Sequence, residues 1–166
     1  SLSSDGTTVA IGAPYNDGNG QDSGHVRVYQ LSGNTWTQIG QDINGESASD
    51  FSGYANSLSS DGTTVAIGAP YNDGISQDSG LGSGHVRVYQ LNGNTWTQVG
   101  LDIDGEAAGD DIGWSVSLSS NGTIVAIGAP FHDGISQDSG LVRVYQQSGN
   151  IWTQIGQDIN GESASD

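Results

Sequence analysis

The chain of 166 residues has no cysteine, no methionine and no lysine, and three arginines face 19 acidic residues for a formal net charge of −16. Without cysteine no disulfide staples the fold and no thiolate chemistry is available. The negative charge excludes electrostatic capture of nucleic acid or of an anionic membrane surface, and points to neutral, cationic or metal-bridged partners. Long apolar runs are missing too. Nothing approaches the ~18 residues of a membrane span, and no basic-then-apolar signal segment opens the chain. With no methionine even at position 1, the sequence reads as a portion of something longer. What is abundant is glycine, 27 residues beside a hydrophobic content of 33%. That balance argues against helical packing and favours an all-β fold.

The order of the chain is set by a repeat. Ser1 to Gly18 returns at Ser57 to Gly74 and, diverged, at Ser117 to Gly134, at offsets of 56 and 60 residues. The extra residues of the second unit fall around Leu81 to Gly84, a glycine-serine stretch where insertion costs little loop-closure entropy. Trp36 to Asp50 reappears letter for letter as Trp152 to Asp166.

Within a unit, periodicity and turn chemistry predict four β segments. In the second unit these are 51–59, a turn at Asp61-Gly62, a return over 63–70, a long polar loop over 71–84, a third strand over 85–91, and a fourth over 95–103 after Asn92-Gly93-Asn94. Val65, Ile67 and Ala69 share one face of the second strand; Ala66 and Gly68 leave the other nearly bare, open to close approach by another sheet. A period of 50 to 60 residues with four strands predicts propeller blades, since one twisted four-stranded sheet must stack on neighbours to cover its faces. The expectation is an all-β array of three four-stranded antiparallel β-propeller blades, part of a larger propeller or blade array. Blade 1 takes residues 1–56 with its first strand largely missing. Blade 2 takes 57–116 with the preceding strand 51–59, and blade 3 takes 117–166 with the preceding strand 111–119, all in one propeller-type domain. Three units are too few to close a ring, so further blades of the same or a neighbouring chain are expected partners.

The three VAIGAP segments ending at Pro14, Pro70 and Pro130, with Phe51-Ser52-Gly53-Tyr54, Ile112-Gly113-Trp114-Ser115 and HVRVYQ, resemble the FG-GAP repeat, the blade type of integrin α-subunit propellers. The resemblance implies a four-stranded blade in an extracellular or cell-surface protein, and a ligand-binding face formed by the loop after the second strand and the loop joining successive blades. In the integrin type the hairpin between the first two strands carries a calcium loop of alternating aspartates. Here that hairpin holds one acid, Asp5 or Asp61, or none, Asn121. One carboxylate falls short of the six to eight oxygens calcium takes.

Two acidic loops recur on the implied ligand face. The first holds Asp17 and Asp22, then Asp73 and Asp78, then His132, Asp133 and Asp138. The second holds Asp42, Asn44, Glu46 and Asp50, repeated as Asp102, Asp104, Glu106 and Asp110 and again from Asp158. Calcium is a candidate ligand of this second set, against the alternative that these are solvated turn residues; no other cofactor is expected. Arg27, Arg87 and Arg143 take one repeat position between valines and read as structural charges paired with an acid of the same or next blade. Trp36, Trp96 and Trp152 read as packing residues of the outer strand or a blade interface, and Trp114 as filling space near the axis. Asn121-Gly-Thr123 fits both a glycosylation sequon and a turn. No nucleophile, base and orienting acid recur at workable spacing, so the chain reads as a non-enzyme. The functions this leaves are glycan or protein recognition and adhesion, a structural repeat of a surface filament, sheath or adhesive, and an accessory propeller of a secreted hydrolase or lyase.

Overall fold

The computed structural model describes residues 1–73, 82–134 and 136–164, and in these the protein is all-β, with three antiparallel sheets and no helix. The first sheet is built from β1 (Thr8–Ala13), β2 (His25–Ser32), β3 (Thr35–Gln38) and β4 (Ile43–Asn44). The second comprises β5 (Ala55–Leu58), β6 (Thr64–Ala69), β7 (His85–Asn92), β8 (Thr95–Gln98) and β9 (Ile103–Asp104). The third repeats it with β10 (Ser115–Leu118), β11 (Ile124–Ala129), β12 (Leu141–Ser148), β13 (Ile151–Gln154) and β14 (Ile159–Asn160).

Two boundaries differ from the sequence expectation. The first strand of the second unit begins at Ala55 rather than Phe51. Phe51 (φ 53°) and Gly53 (φ 88°) adopt left-handed backbone that extended pairing cannot use, so 51–54 is a turn. The fourth strand is two short strands, β8 and β9, which both pair with β7. Gly100 lies between them at φ 80°, and a Cβ there would come within 2.7 Å of the Trp152 ring from the next unit. The break is therefore the seat of a neighbour's indole.

Successive sheets pack face to face because each strand divides its residues between two neighbours. Val65, Ile67, Tyr89 and Trp96 of the second sheet bury against Ala10, Val26, Val28 and Ile43 of the first. Its opposite face, Ala66, Val86, Val88 and Ile103, receives Val125 and Ile127 of the third, with Tyr145 and Trp152 packed alongside. Gly68 permits the close approach: a Cβ would collide with the Gly113 carbonyl of the next unit. Backbone bonds tie the units as well, Ser4 N–H to Ser60 O and Ser60 N–H to Ser120 O, each 2.9 Å.

Candidate functional site

The loops after β1, β6 and β11 open on the same side as the segments that join one unit to the next. Tyr15, Tyr71 and Phe131 each follow the strand-ending Pro14, Pro70 or Pro130, which cannot donate to the ladder and so turns the chain outward. The joining segments add Phe51, Tyr54 and Trp114. Together the rings form a continuous line across all three units: Tyr15 to Phe51, 5.4 Å between centroids; Phe51 to Tyr71, 5.1 Å; Tyr71 to Trp114, 6.4 Å; Trp114 to Phe131, 5.4 Å. Each of these contacts is edge-to-face, and Tyr54 tilts against Trp114 at 4.8 Å. This is the geometry that ring quadrupoles favour. The line is nonetheless open to solvent, with Tyr15 70% exposed and Phe131 43%. Trp114, half-buried, stands in this line between Tyr71 and Phe131. Beside Phe51 and Tyr71, a cleft of about 350 Å³ is completed by Ala48, Ser49 and Asp73.

Backbone strain collects on the same rim. All five non-glycine residues with left-handed φ among the described residues, Asp22, Ser49, Phe51, Asp111 and Asp138, lie in its loops. The acids predicted there brace it: Asp17 accepts the Asp22 N–H and Asp133 the Asp138 N–H, both at 2.9 Å. Asp78 lies outside the described residues. Asp50 accepts the N–H groups of Glu46 and Ser47 at 3.0 and 2.7 Å, and Asp110 that of Ala107 at 3.0 Å. The other Asp110 oxygen meets His132 Nδ1 at 3.1 Å, which joins the two acidic loops in the third unit. Sequence reasoning missed the aromatics at 15, 51, 71 and 131, and it missed Asp111. Burial, with the Asp110 carboxylate beside it, pushes the Asp111 carboxyl up to about 6. The rim can therefore hold a proton near neutral pH as well as accept hydrogen bonds. The available signal was the residue after each Gly-Ala-Pro, aromatic in all three units.

The remaining predicted residues lie at the unit interfaces or, for Arg27 and Trp36, on the open outer face of the first unit. Arg27 clamps Asp42 through Nε and Nη2 at 2.9 and 2.7 Å. Arg143 makes the same fork with Asp158, 2.8 Å on both arms, and reaches back to Glu106 of the preceding unit at 2.9 Å. Arg87 reaches Glu46 at 3.1 Å and the Asn44 carbonyl at 3.0 Å, again in the preceding unit. The Trp96 and Trp152 indoles donate to the carbonyls of Ile39 and Val99 at 3.0 and 2.9 Å, whereas Trp36 is 43% exposed. Of the acids proposed for calcium, Asp42 also accepts from Gln38 at 2.7 Å, Asp102 accepts from Gln98 at 2.5 Å, and burial raises the Asp104 carboxyl. Among the described residues, Glu46, His85 and Asp102 place three donor atoms within 4.8 Å of one another. The Arg87 guanidinium on Glu46 supplies the positive charge at that cluster.

No family model matches the chain, and no curated protein matches it. Among solved structures, a protein from Bacteroides uniformis provisionally assigned as a 6-phosphogluconolactonase matches with a TM-score of 0.59 at 14% identity, over 99% of this chain. The chain spans 40% of that structure's length. The likeness shows a shared fold. It also corrects the reading of the chain as a non-enzyme: the matching structure carries an enzyme's name, so lack of a sequence-visible triad excludes nothing about catalysis in this fold.

Proposed function

We propose that the three sheets are blades of an FG-GAP-type β-propeller of the cell surface, and that its aromatic rim binds a neutral carbohydrate. The observation that carries the ligand reading is the unbroken line from Tyr15 to Phe131 across three units, flanked by carboxylates. The C–H faces of a pyranose carry partial positive charge and settle on the negative face of an aromatic ring, while its hydroxyls need acceptors beside them. The Phe51–Tyr71 cleft offers both, with Asp73 at its edge. A net charge of −16 disfavours a uronate or sulfated chain. The propeller reading is supported by the equivalent way in which each sheet packs on the next and by the serine ladder linking the units.

The test is isothermal titration calorimetry against neutral and anionic oligosaccharides of several rings. Binding of a neutral oligosaccharide, weakened about tenfold by Trp114→Ala and untouched by Trp36→Ala on another surface, supports the assignment. Heat only with anionic sugars, unchanged binding by Trp114→Ala, or no binding of any sugar refutes it.

A further inference from the structure

The outer faces of the two end units complement each other, because the chain contains the same interface twice already. The face that the second sheet presents to the first consists of Val65, Ile67, Tyr89 and Trp96, and it is buried. The first sheet carries the same residue types in register, Val9, Ile11, Tyr29 and Trp36, and they line an open apolar groove of about 410 Å³. Ile11 is 51% exposed, whereas its equivalent Ile67 is 2% exposed. At the other end, Ala126, Val142, Val144 and Ile159 repeat the surface of Ala10, Val26, Val28 and Ile43 that receives the second sheet. Val142 and Ile159 are exposed, while Val26 and Ile43 are buried.

From these matched faces we infer that the groove of the first unit is a docking site for the third unit of a second copy of this chain, joined head to tail. The polar fittings match too. Trp96 Nε1–H donates to Ile39 O at 3.0 Å, and Gln41 bonds both the Trp96 N–H and the Trp96 carbonyl, at 3.0 and 2.8 Å. The third unit carries Ile155 and Gln157 at those positions, in a segment identical to that of the first unit. Trp36 of one copy would thus meet the groups that Trp96 meets within the chain. The contact is heterologous, using a different face of each partner, so two copies close it as a ring of six units or many extend it. It rests on packing repeats and stands apart from the carbohydrate reading.

The experiment is sedimentation velocity on the 166-residue chain, with Ile11→Lys and Val142→Lys blocking one face each and Ile159→Lys as a second block of the third-unit face. Concentration-dependent species above the 17.0 kDa monomer are expected. Each substitution should weaken association about 30-fold or more, as for a central interface residue. Because each variant keeps one good face, mixing Ile11→Lys with Val142→Lys should restore a pair joined by a single interface. Circular dichroism is expected to match wild type, since the substituted side chains lie outside the internal interfaces. A monomer at all concentrations, association indifferent to Ile11→Lys, or association lost in Ile11→Lys but intact in both third-unit variants overturns the inference. The last result would mean that groove meets groove.

Discussion

Replacing Asp111 with asparagine should stabilise the protein, and by an amount that depends on pH. Asp111 is 7% exposed and stands at φ 53° in the turn that opens the third unit. Burial first, and then the Asp110 carboxylate, raises its carboxyl from 3.8 to about 6. Between those values the folded protein holds a proton that the unfolded chain has released, so stability falls as pH rises through that window. At 1.36 kcal/mol per unit, the penalty above pH ~6 is about 2 to 3 kcal/mol. Asp111→Asn keeps the shape and removes the charge. It should match wild type near pH 4 and exceed it by about that amount at pH 8.

The whole-protein profile would hide this effect, because His85 acts with the opposite sign. Burial, and then Arg87, holds the His85 imidazole down to about 4 from 6.5. The unfolded chain therefore takes up a proton first as pH falls through that range, and stability is lost toward acid. Both proteins share that term, so it cancels in their difference. Urea unfolding of each at pH steps from 4 to 8 isolates Asp111. A difference that does not change with pH, or a variant less stable than wild type at pH 8, would refute the reasoning.

Three further outcomes are expected. Arg87→Met should cost about 1 to 3 kcal/mol in urea unfolding, because the buried interface loses the Arg87 guanidinium; Arg27→Met should lower stability clearly less, since the Arg27 side chain is 43% exposed against 6% for Arg87. Gly68→Ala should destabilise by about 1 to 3 kcal/mol, read as a lower thermal midpoint, because the added methyl meets the Gly113 backbone rather than a side chain that can swing away. The hydrogen bonds from Arg27 and Arg143 hold the Asp42 and Asp158 carboxyls down to about 2. Their stabilisation is complete above pH ~4 and lost as pH falls toward 2, and an acid unfolding curve for Arg143→Met should lack the Asp158 share.

Strand order and the three-unit organisation were legible in the sequence because β structure writes itself in period two and turns carry Asn, Asp and Gly. The bare side of β6 is an example: alanine and glycine alternating with Val65 and Ile67 foretold the close contact at Gly113. What escaped were features made by non-local contact. The seat at Gly100 is filled by the Trp152 indole, more than 50 residues away in sequence. The aromatic rim escaped because no segment holds more than two of its rings. Tyr15, Phe51 and Tyr71 come together only when one unit's exit loop folds over the start of the next. Asp111 reads as one more turn acid, and its raised pKa arises from burial that local sequence does not reveal.

Constancy and variation fall unevenly on the stacked faces and on the rim. Four positions of the stacked faces are identical in all three units, Val9, Val65 and Val125; Ile11, Ile67 and Ile127; Tyr29, Tyr89 and Tyr145; Trp36, Trp96 and Trp152, while others change, as Leu91 to Gln147 and His85 to Leu141. A stacked interface with native density tolerates little change, and identity there lets any unit follow any other. On the rim the same alignment gives Tyr71 against Phe131, Phe51 against Asp111, Tyr54 against Trp114 and Asn72 against His132. The scaffold is therefore repetitive while its exposed edge is not. A polymer needs only the first property; a ligand that distinguishes one part of the rim from another needs the second. The change from Phe51 to Asp111 converts a stacking position into a proton-holding one at the same left-handed backbone site. If the rim binds carbohydrate as proposed, the end with Trp114, His132 and Asp111 is the part of it that would tell one ligand from another.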